Sequence, residues 1–241
     1  MFRGNEEILP AEWTSKKSKL LFKYLIHMRN RGYLAKEVLM ELLWPEGDPK
    51  RINHRFHVAL SSLRKIIEPG IIRQASSSYI FREKDAYKLH IGKSIWVDVD
   101  EFKKELKFSE GNTLPENQIS RLLRAASIYK GDFLEEDFYV QWCVEERDRL
   151  KEAYLDVLTN IIEYYDRKKQ YDKCIEYAKK YLQKDKYSEL IYQVLMKYYS
   201  LTGNNTMVIK TYDKCKKNIL EGLDSPLSTD TEALYKKLLH K

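Results

Sequence analysis

Five histidines and three cysteines are the residues of this 241-residue chain best suited to metal or nucleophilic chemistry. His54 and His57 stand three apart, a spacing that puts two imidazoles on one helix face, but no Cys or acid in the pattern completes a metal site. Cys143, Cys174 and Cys215 are scattered, odd in number and without a C-x-x-C pair, which argues against a disulfide framework or structural zinc. Cys174 and Cys215 fall in helical apolar patterns, where free thiols behave as small core residues. Asp98 and Asp100 precede a helix, where acids cap and complement the dipole, and Glu135-Glu136-Asp137 reads as a solvated loop. Phosphate-binding glycine loops, G-x-S-x-G and H-E-x-x-H are missing from the sequence. No catalytic constellation emerges, so the expectation is a protein that is not an enzyme and needs neither cofactor nor metal.

The chemistry that remains is polyanion binding. Between Arg51 and Lys65 no acid occurs. At about 100° per residue, Arg51, His54, His57, Val58, Ser61, Ser62 and Lys65 share one helix face, flanked by Arg55 and Arg64. A solvated face normally mixes signs for support four residues apart, so a polar and basic one reads as a contact surface. Mapping the charge sharpens this. The net +7 is uneven: residues 1–95 carry 18 Lys/Arg against 10 Asp/Glu, and residues 96–241 carry 25 against 26. A localised basic excess is an electrostatic footprint for a polyanion, and on composition alone a solvated basic face with no partner is an equally good reading.

The elements that must position that face are short. Ser15 to Arg29 predicts a helix, with Leu20, Leu21, Tyr24, Leu25 and Met28 on its apolar stripe and Thr14 or Ser15 as cap. Lys16, Lys17 and Lys19 crowd its first turn, where cations oppose the dipole. Ala35 to Trp44 predicts a second helix with Val38, Leu39, Leu42 and Leu43 inward, stopped by Pro45. Asp48-Pro49 is a strong start for a third, running to about Ile67 and burying Ile52, Phe56, Ala59, Leu60, Leu63 and Ile67. Tyr79–Arg82 and Ala86–Ile91, joined by Glu83-Lys84-Asp85, read as a β-hairpin. Ser76-Ser77-Ser78 at its base reads equally well as phosphate donors or as plain loop.

From Glu116 onward the pattern is helical. Leu158, Ile161, Ile162, Tyr165, Cys174, Ile175 and Tyr181 fall opposite Tyr192, Leu195, Met196, Tyr199, Val208, Ile209 and Cys215 at an offset of 34, and Lys169 aligns with Gly203 in the turns. That is the period of the tetratricopeptide (TPR) repeat, whose helix pairs bury their apolar faces by stacking. Eleven of the 18 tyrosines lie between Tyr154 and Tyr212, a stripe read as core and groove lining.

Three helices followed by a hairpin, the third helix basic outside, form the winged helix-turn-helix arrangement. Ser15-Lys16-Lys17-Ser18-Lys19-Leu20-Leu21, Leu42-Leu43-Trp44-Pro45, Val58-Ala59-Leu60-Ser61-Ser62-Leu63-Arg64-Lys65 and Tyr87-Lys88-Leu89 resemble the OmpR-type DNA-binding domain of bacterial activators. Tyr129-Lys130-Gly131-Asp132-Phe133-Leu134, Trp142-Cys143, Glu146-Arg147-Asp148-Arg149-Leu150, Leu195-Met196-Lys197-Tyr198-Tyr199 and Leu234-Tyr235-Lys236-Lys237-Leu238-Leu239 resemble the bacterial transcriptional activator domain. The two occur in this order in the Streptomyces antibiotic regulatory protein family and in large MalT-like regulators. Three departures stand out: only Met1 to Ile8 precedes the first helix, Ala35 replaces a capping residue such as Ser, and Cys174 and Val208 replace the small residue of a TPR second helix.

The expectation is therefore a mainly helical chain with a small β-hairpin: a winged helix-turn-helix domain over 1–95 and a TPR-like activator domain over 96–241. The resemblance implies a cytoplasmic transcription factor on double-stranded promoter DNA. Its implied partners are RNA polymerase, a second copy on direct repeats, and a sensor or receiver module upstream in a longer chain. Candidate groove residues are Arg51, His54, Arg55, His57, Ser61, Ser62 and Lys65; candidate phosphate contacts are Lys16, Lys17, Arg64, Lys84 and Lys88. The competing reading is a TPR-type interaction scaffold without specific DNA binding. No stretch approaches the roughly 18 apolar residues of a membrane span.

Overall fold

The computed structural model describes the chain apart from residues 1, 4, 5, 71–76, 91, 93–95, 110–114, 138, 139, 240 and 241. It divides into two compact units, Met1–Ile95 and Trp96–Lys241. The fold class is the one read from the sequence: a winged helix-turn-helix arrangement with a small antiparallel sheet, then TPR-like helices.

In the first unit a two-stranded ribbon, β1 (Phe2–Arg3) and β2 (Glu6–Glu7), precedes α1 (Lys16–His27). Ser15 caps α1 by accepting from the Ser18 amide at 3.3 Å. Then follow β3 (Leu34–Ala35), α2 (Lys36–Leu43), α3 (Pro49–Ile67) and the hairpin β4 (Ile80–Glu83) and β5 (Ala86–Leu89). The strand β3 was not foreseen; it pairs with β5, giving the antiparallel order β3-β5-β4. The Lys84-Asp85 turn places Lys84 at φ 51°, as tight hairpin turns require. Ser77, at the hairpin base, is buried and accepts from the amides of Ile80 (2.9 Å) and Tyr79 (3.2 Å) while donating to Glu68. It is thus a structural loop residue, and Ser76 lies outside the described residues.

Leu21, Phe22, Leu25, Leu39, Leu43, Phe56, Leu60, Leu63, Ile80, Tyr87 and Leu89 form one core. Three expected stripes shift. In α1, Ser18 and Phe22 join Leu21 and Leu25 inside, while Leu20, Tyr24 and Met28 are half-buried. In α2, Leu39 and Leu43 are wholly buried but Val38 is 46% exposed, because an eight-residue helix presents only one i,i+4 pair inward. In α3, Ile66 is buried and Ile67 only half so.

The second unit runs α4 (Asp98–Ser109), α5 (Pro115–Ile128), α6 (Gln141–Arg167), α7 (Tyr171–Lys184), α8 (Glu189–Leu201), α9 (Asn205–Leu223) and α10 (Thr229–Leu239), each packed on the next. The 34-residue period is written in the backbone. Gln170 N–H reaches Tyr165 O at 2.9 Å and Lys169 N–H reaches Asp166 O at 2.9 Å. The equivalent bonds, Asn204 to Tyr199 at 2.8 Å and Gly203 to Ser200 at 3.0 Å, close the next repeat. Both are Schellman ends, with the left-handed residue at Lys169 (φ 55°) and Gly203 (φ 74°).

Stacked tyrosines join successive helices: Tyr165 with Tyr177, Tyr171 with Tyr198, and Tyr212 with Tyr235. The tyrosine stripe is therefore packing. The segment that resembled an activator domain is one joint. Tyr129 stacks on Tyr154 at 4.1 Å and donates to Asp132 at 2.9 Å, which Lys184 also reaches at 2.9 Å. Arg147 donates to the carbonyls of Phe133 (2.8 Å), Leu134 (2.8 Å) and Asp137 (3.2 Å). The acidic run Glu135–Asp137 is a short 3-10 turn held by these bonds. The side chain of Glu105, fully buried, is neutralised by Arg121 at 3.0 Å and Arg124 at 3.1 Å, tying α4 to α5.

Burial across the repeat register parts most widely at one pair: Ile175 is 9% exposed, its equivalent Ile209 41%. Ile175→Ala should cost about 2–4 kcal/mol and Ile209→Ala under about 1 kcal/mol in urea unfolding of the chain followed by circular dichroism. Equal costs would contradict this packing.

Candidate nucleic-acid interface

Rotation of α3 about its axis is set by its inner face. Phe56 and Leu63 are wholly buried, and Phe56 meets Tyr87 of β5 edge-on at 5.3 Å. Burying side chains of this size stabilises by roughly 1.5–3 kcal/mol each, so the helix cannot roll without losing several such terms. The outer face is thereby fixed. Arg51, His54, Arg55, His57, Val58, Ser61 and Lys65 are all exposed, Val58 to 56%. They run from Arg51 to Lys65, 15 residues and 14 helical steps, or about 21 Å at 1.5 Å per residue. The Arg51 side chain is 82% exposed, with Asp48 as a loose partner at 3.9 Å.

Other candidates are placed differently. Ser62 is half-buried, its hydroxyl 3.0 Å from that of Thr14. Arg64 is half-buried, and its Nε is buried without a hydrogen-bond partner among the described residues. Lys17 donates to the Leu43 carbonyl at the end of α2, and its ammonium lies 5.8 Å from the Trp44 ring centroid. It therefore caps a helix C-terminus, where a cation is favoured. Lys16 is exposed, and so is Lys84 at the hairpin tip. Lys88 pairs across the strands with Phe81 and lines a shallow pocket with Arg29, Asn30 and His90, away from the Arg82–Tyr87 face.

Two cations near the face escaped the sequence reading. Lys36, at the start of α2, lies 3.3 Å from the Asp85 carboxylate, and Arg82 of β4 lies 3.3 Å from the same oxygen. Arg82 also donates to the Lys84 carbonyl at 2.7 Å, and Lys36 N–H to the Asp85 carbonyl at 2.8 Å. The field is felt at His57: burial, then Lys36, Arg82 and Arg64, hold its pKa below the ordinary 6.5, Asp85 opposing. The charges of cations from α2, α3 and the hairpin thus act on this one imidazole. Only the hairpin-turn pattern pointed to this region, since Lys36 and Asp85 are 49 residues apart.

Among the described residues no group of His, Cys, Asp and Glu could hold a metal ion, and none brings a third ligand to His54 and His57. No described helix is long and apolar enough to cross a membrane. The arrangement offers a convex helix with cationic, hydroxyl and imidazole donors on one face, which suits phosphates and base edges.

Comparison with known proteins bears on the fold and on the second unit. The structure of Mycobacterium tuberculosis EmbR in complex with a low-affinity phosphopeptide is similar at a TM-score of 0.65 and 18% identity, over 94% of this chain and 60% of that one. The chain thus spans about 60% of the length of that structure. The C-terminal TPR-containing domain of a Plasmodium falciparum FK506-binding protein aligns at a TM-score of 0.38 and 17% identity, over 59% of this chain and 86% of that one. A search of curated proteins found no match. The profile of the bacterial transcriptional activator domain matches residues 97–239, well over half of the chain, with the interlocked Tyr129–Asp132 and Arg147 joint inside it. By that match, the chain belongs to the bacterial transcriptional activator domain family.

Proposed function

We propose that the chain is a sequence-specific DNA-binding transcriptional regulator, acting as an activator. Met1–Ile95 would be an OmpR-type DNA-binding domain and Trp96–Lys241 the unit that contacts RNA polymerase, a second copy or a signalling partner. The observation that carries the reading is the exposed face of α3, free of acids from Arg51 to Lys65 and mounted in a winged-helix frame. A helix fits the roughly 12 Å major groove, and phosphates would hold it in register. Arg51, His54, Arg55, Ser61 and Lys65 are the base-edge and phosphate contacts in this reading, and exposed Val58 suits a thymine methyl. Arg64, half-buried between this face and the core, and the exposed Lys16 and Lys84 would meet backbone phosphates. Membership of an activator-domain family supports a regulator rather than an enzyme.

The test is a fluorescence-anisotropy titration of the full chain with duplex DNA from about 50 to 300 mM salt. Binding should fall linearly in log–log form, with a slope near 0.9 per neutralised phosphate. Arg51→Ala and Lys65→Ala should each weaken binding by about 1–3 kcal/mol, while Lys216→Ala on exposed α9 should leave it unchanged. No duplex binding at the lowest salt would leave a protein-interaction scaffold instead.

His57 adds a pH dependence. A phosphate beside it opposes the cations that lower its pKa, so binding takes up a proton. Affinity should rise as pH falls from 7.5 to 6, and His57→Gln should flatten that part of the profile. In the free protein the lowered pKa acts the other way: the folded state binds fewer protons than the unfolded chain. Its contribution is complete above about pH 6.5 and declines below it.

A further inference from the structure

We propose that Lys36 and Arg82 form a binding site for one DNA phosphodiester, and that Asp85 occupies it as an internal counter-ion when no DNA is bound. The inference rests on the DNA-binding reading above and adds residues and a mechanism to it.

The site joins two elements: Lys36 opens α2 and Arg82 stands on β4. One carboxylate oxygen of Asp85 holds both cations at 3.3 Å, while the Asp85 backbone is tied to α2 through Lys36 N–H at 2.8 Å. Arg82 is oriented from two sides, by its bond to the Lys84 carbonyl and by the Tyr87 ring 5.9 Å beneath its guanidinium. The α2 N-terminus adds a favourable dipole, because Ala35 provides no side-chain cap. With Asp85 in place the group carries two cations and one anion, so a net charge of +1 still draws a monoanionic phosphodiester toward it.

The magnitudes favour exchange. The Asp85 side chain is 62% exposed and that of Arg82 53%. Ion pairs made by a carboxylate so open to water are weak, even though the Lys36 side chain is only 17% exposed. A phosphodiester offers two acceptor oxygens and releases condensed counterions, which a carboxylate on the same chain does not. Asp85 would thus screen Lys36 and Arg82 from stray anions and yield to a phosphate presented by a docked duplex. The hydrogen bond from Lys36, followed by the charges of Lys36 and Arg82, holds the Asp85 carboxyl below its ordinary pKa, so the counter-ion stays charged at neutral pH.

The experiment compares the 241-residue wild-type chain with Lys36→Ala, Arg82→Ala, Asp85→Asn and Glu83→Gln on one 30-base-pair duplex across a salt series. Glu83→Gln adds the same net charge on the same hairpin without freeing either cation. Lys36→Ala and Arg82→Ala should each weaken binding about 3- to 10-fold and reduce the salt slope by about 0.9. Asp85→Asn should tighten binding about 3- to 10-fold with a steeper slope, and Glu83→Gln should leave the slope unchanged. A gain in affinity cannot arise from unfolding, so Asp85→Asn keeps the test decisive even where an alanine variant is unstable. If Asp85→Asn and Glu83→Gln tighten binding equally at unchanged slope, or if Asp85→Asn weakens it, the counter-ion role is overturned while DNA binding stands. If the wild type binds no duplex, the DNA-binding reading itself fails.

Discussion

The contact between Phe56 and Tyr87 determines what the first unit can present to a partner. It joins the middle of α3 to the central strand of the sheet, and both rings are at most 1% exposed. A helix has one angular setting that buries Ile52, Phe56, Ala59, Leu60, Leu63 and Ile66 together. That setting turns Arg51, His54, Arg55, Ser61 and Lys65 outward without any local preference of their own. The basic face is thus a product of core packing, and its rigidity follows from the close-packed interior behind it.

The same strand connects the face to its second source of charge. Because β5 pairs with β4 on one side and β3 on the other, the hairpin tip is brought to the start of α2, and Arg82 and Lys36 meet at Asp85. Lysine and arginine counts describe how basic the unit is. Topology decides which cations act together. Lys17 illustrates the contrast: it sits in the same basic segment as Lys16 but is engaged with Leu43 and Trp44.

Much of this was legible in the sequence where both faces of an element lie within one local segment. In α3 the apolar and basic positions alternate at helical period, so its inner and outer faces could be read almost residue by residue. In α1 the run Leu20–Ile26 is apolar nearly all round, and only the packing of α2 and α3 decides that Phe22 goes in while Leu20 and Tyr24 stay half-exposed. The two-residue strand β3 is too short to carry a period, and its partners lie some fifty residues away. The Lys36–Asp85–Arg82 cluster is invisible for the same reason. The second unit was readable because its period repeats: the Lys169 and Gly203 turns share one hydrogen-bond pattern 34 residues apart. Ile209 escapes that logic, since a repeat position predicts burial only where a neighbouring helix covers it.

In the proposed regulator, α3 occupies a DNA major groove. Duplexes selected from a random library by the full chain, then probed with dimethyl sulfate in the complex, test it most directly, because guanine N7 lies on the major-groove edge. Guanine N7 should be protected over a few adjacent base pairs, and the protection should be lost with Arg51→Ala. Binding that leaves every N7 reactive, or a library that yields no preferred sequence, would contradict it.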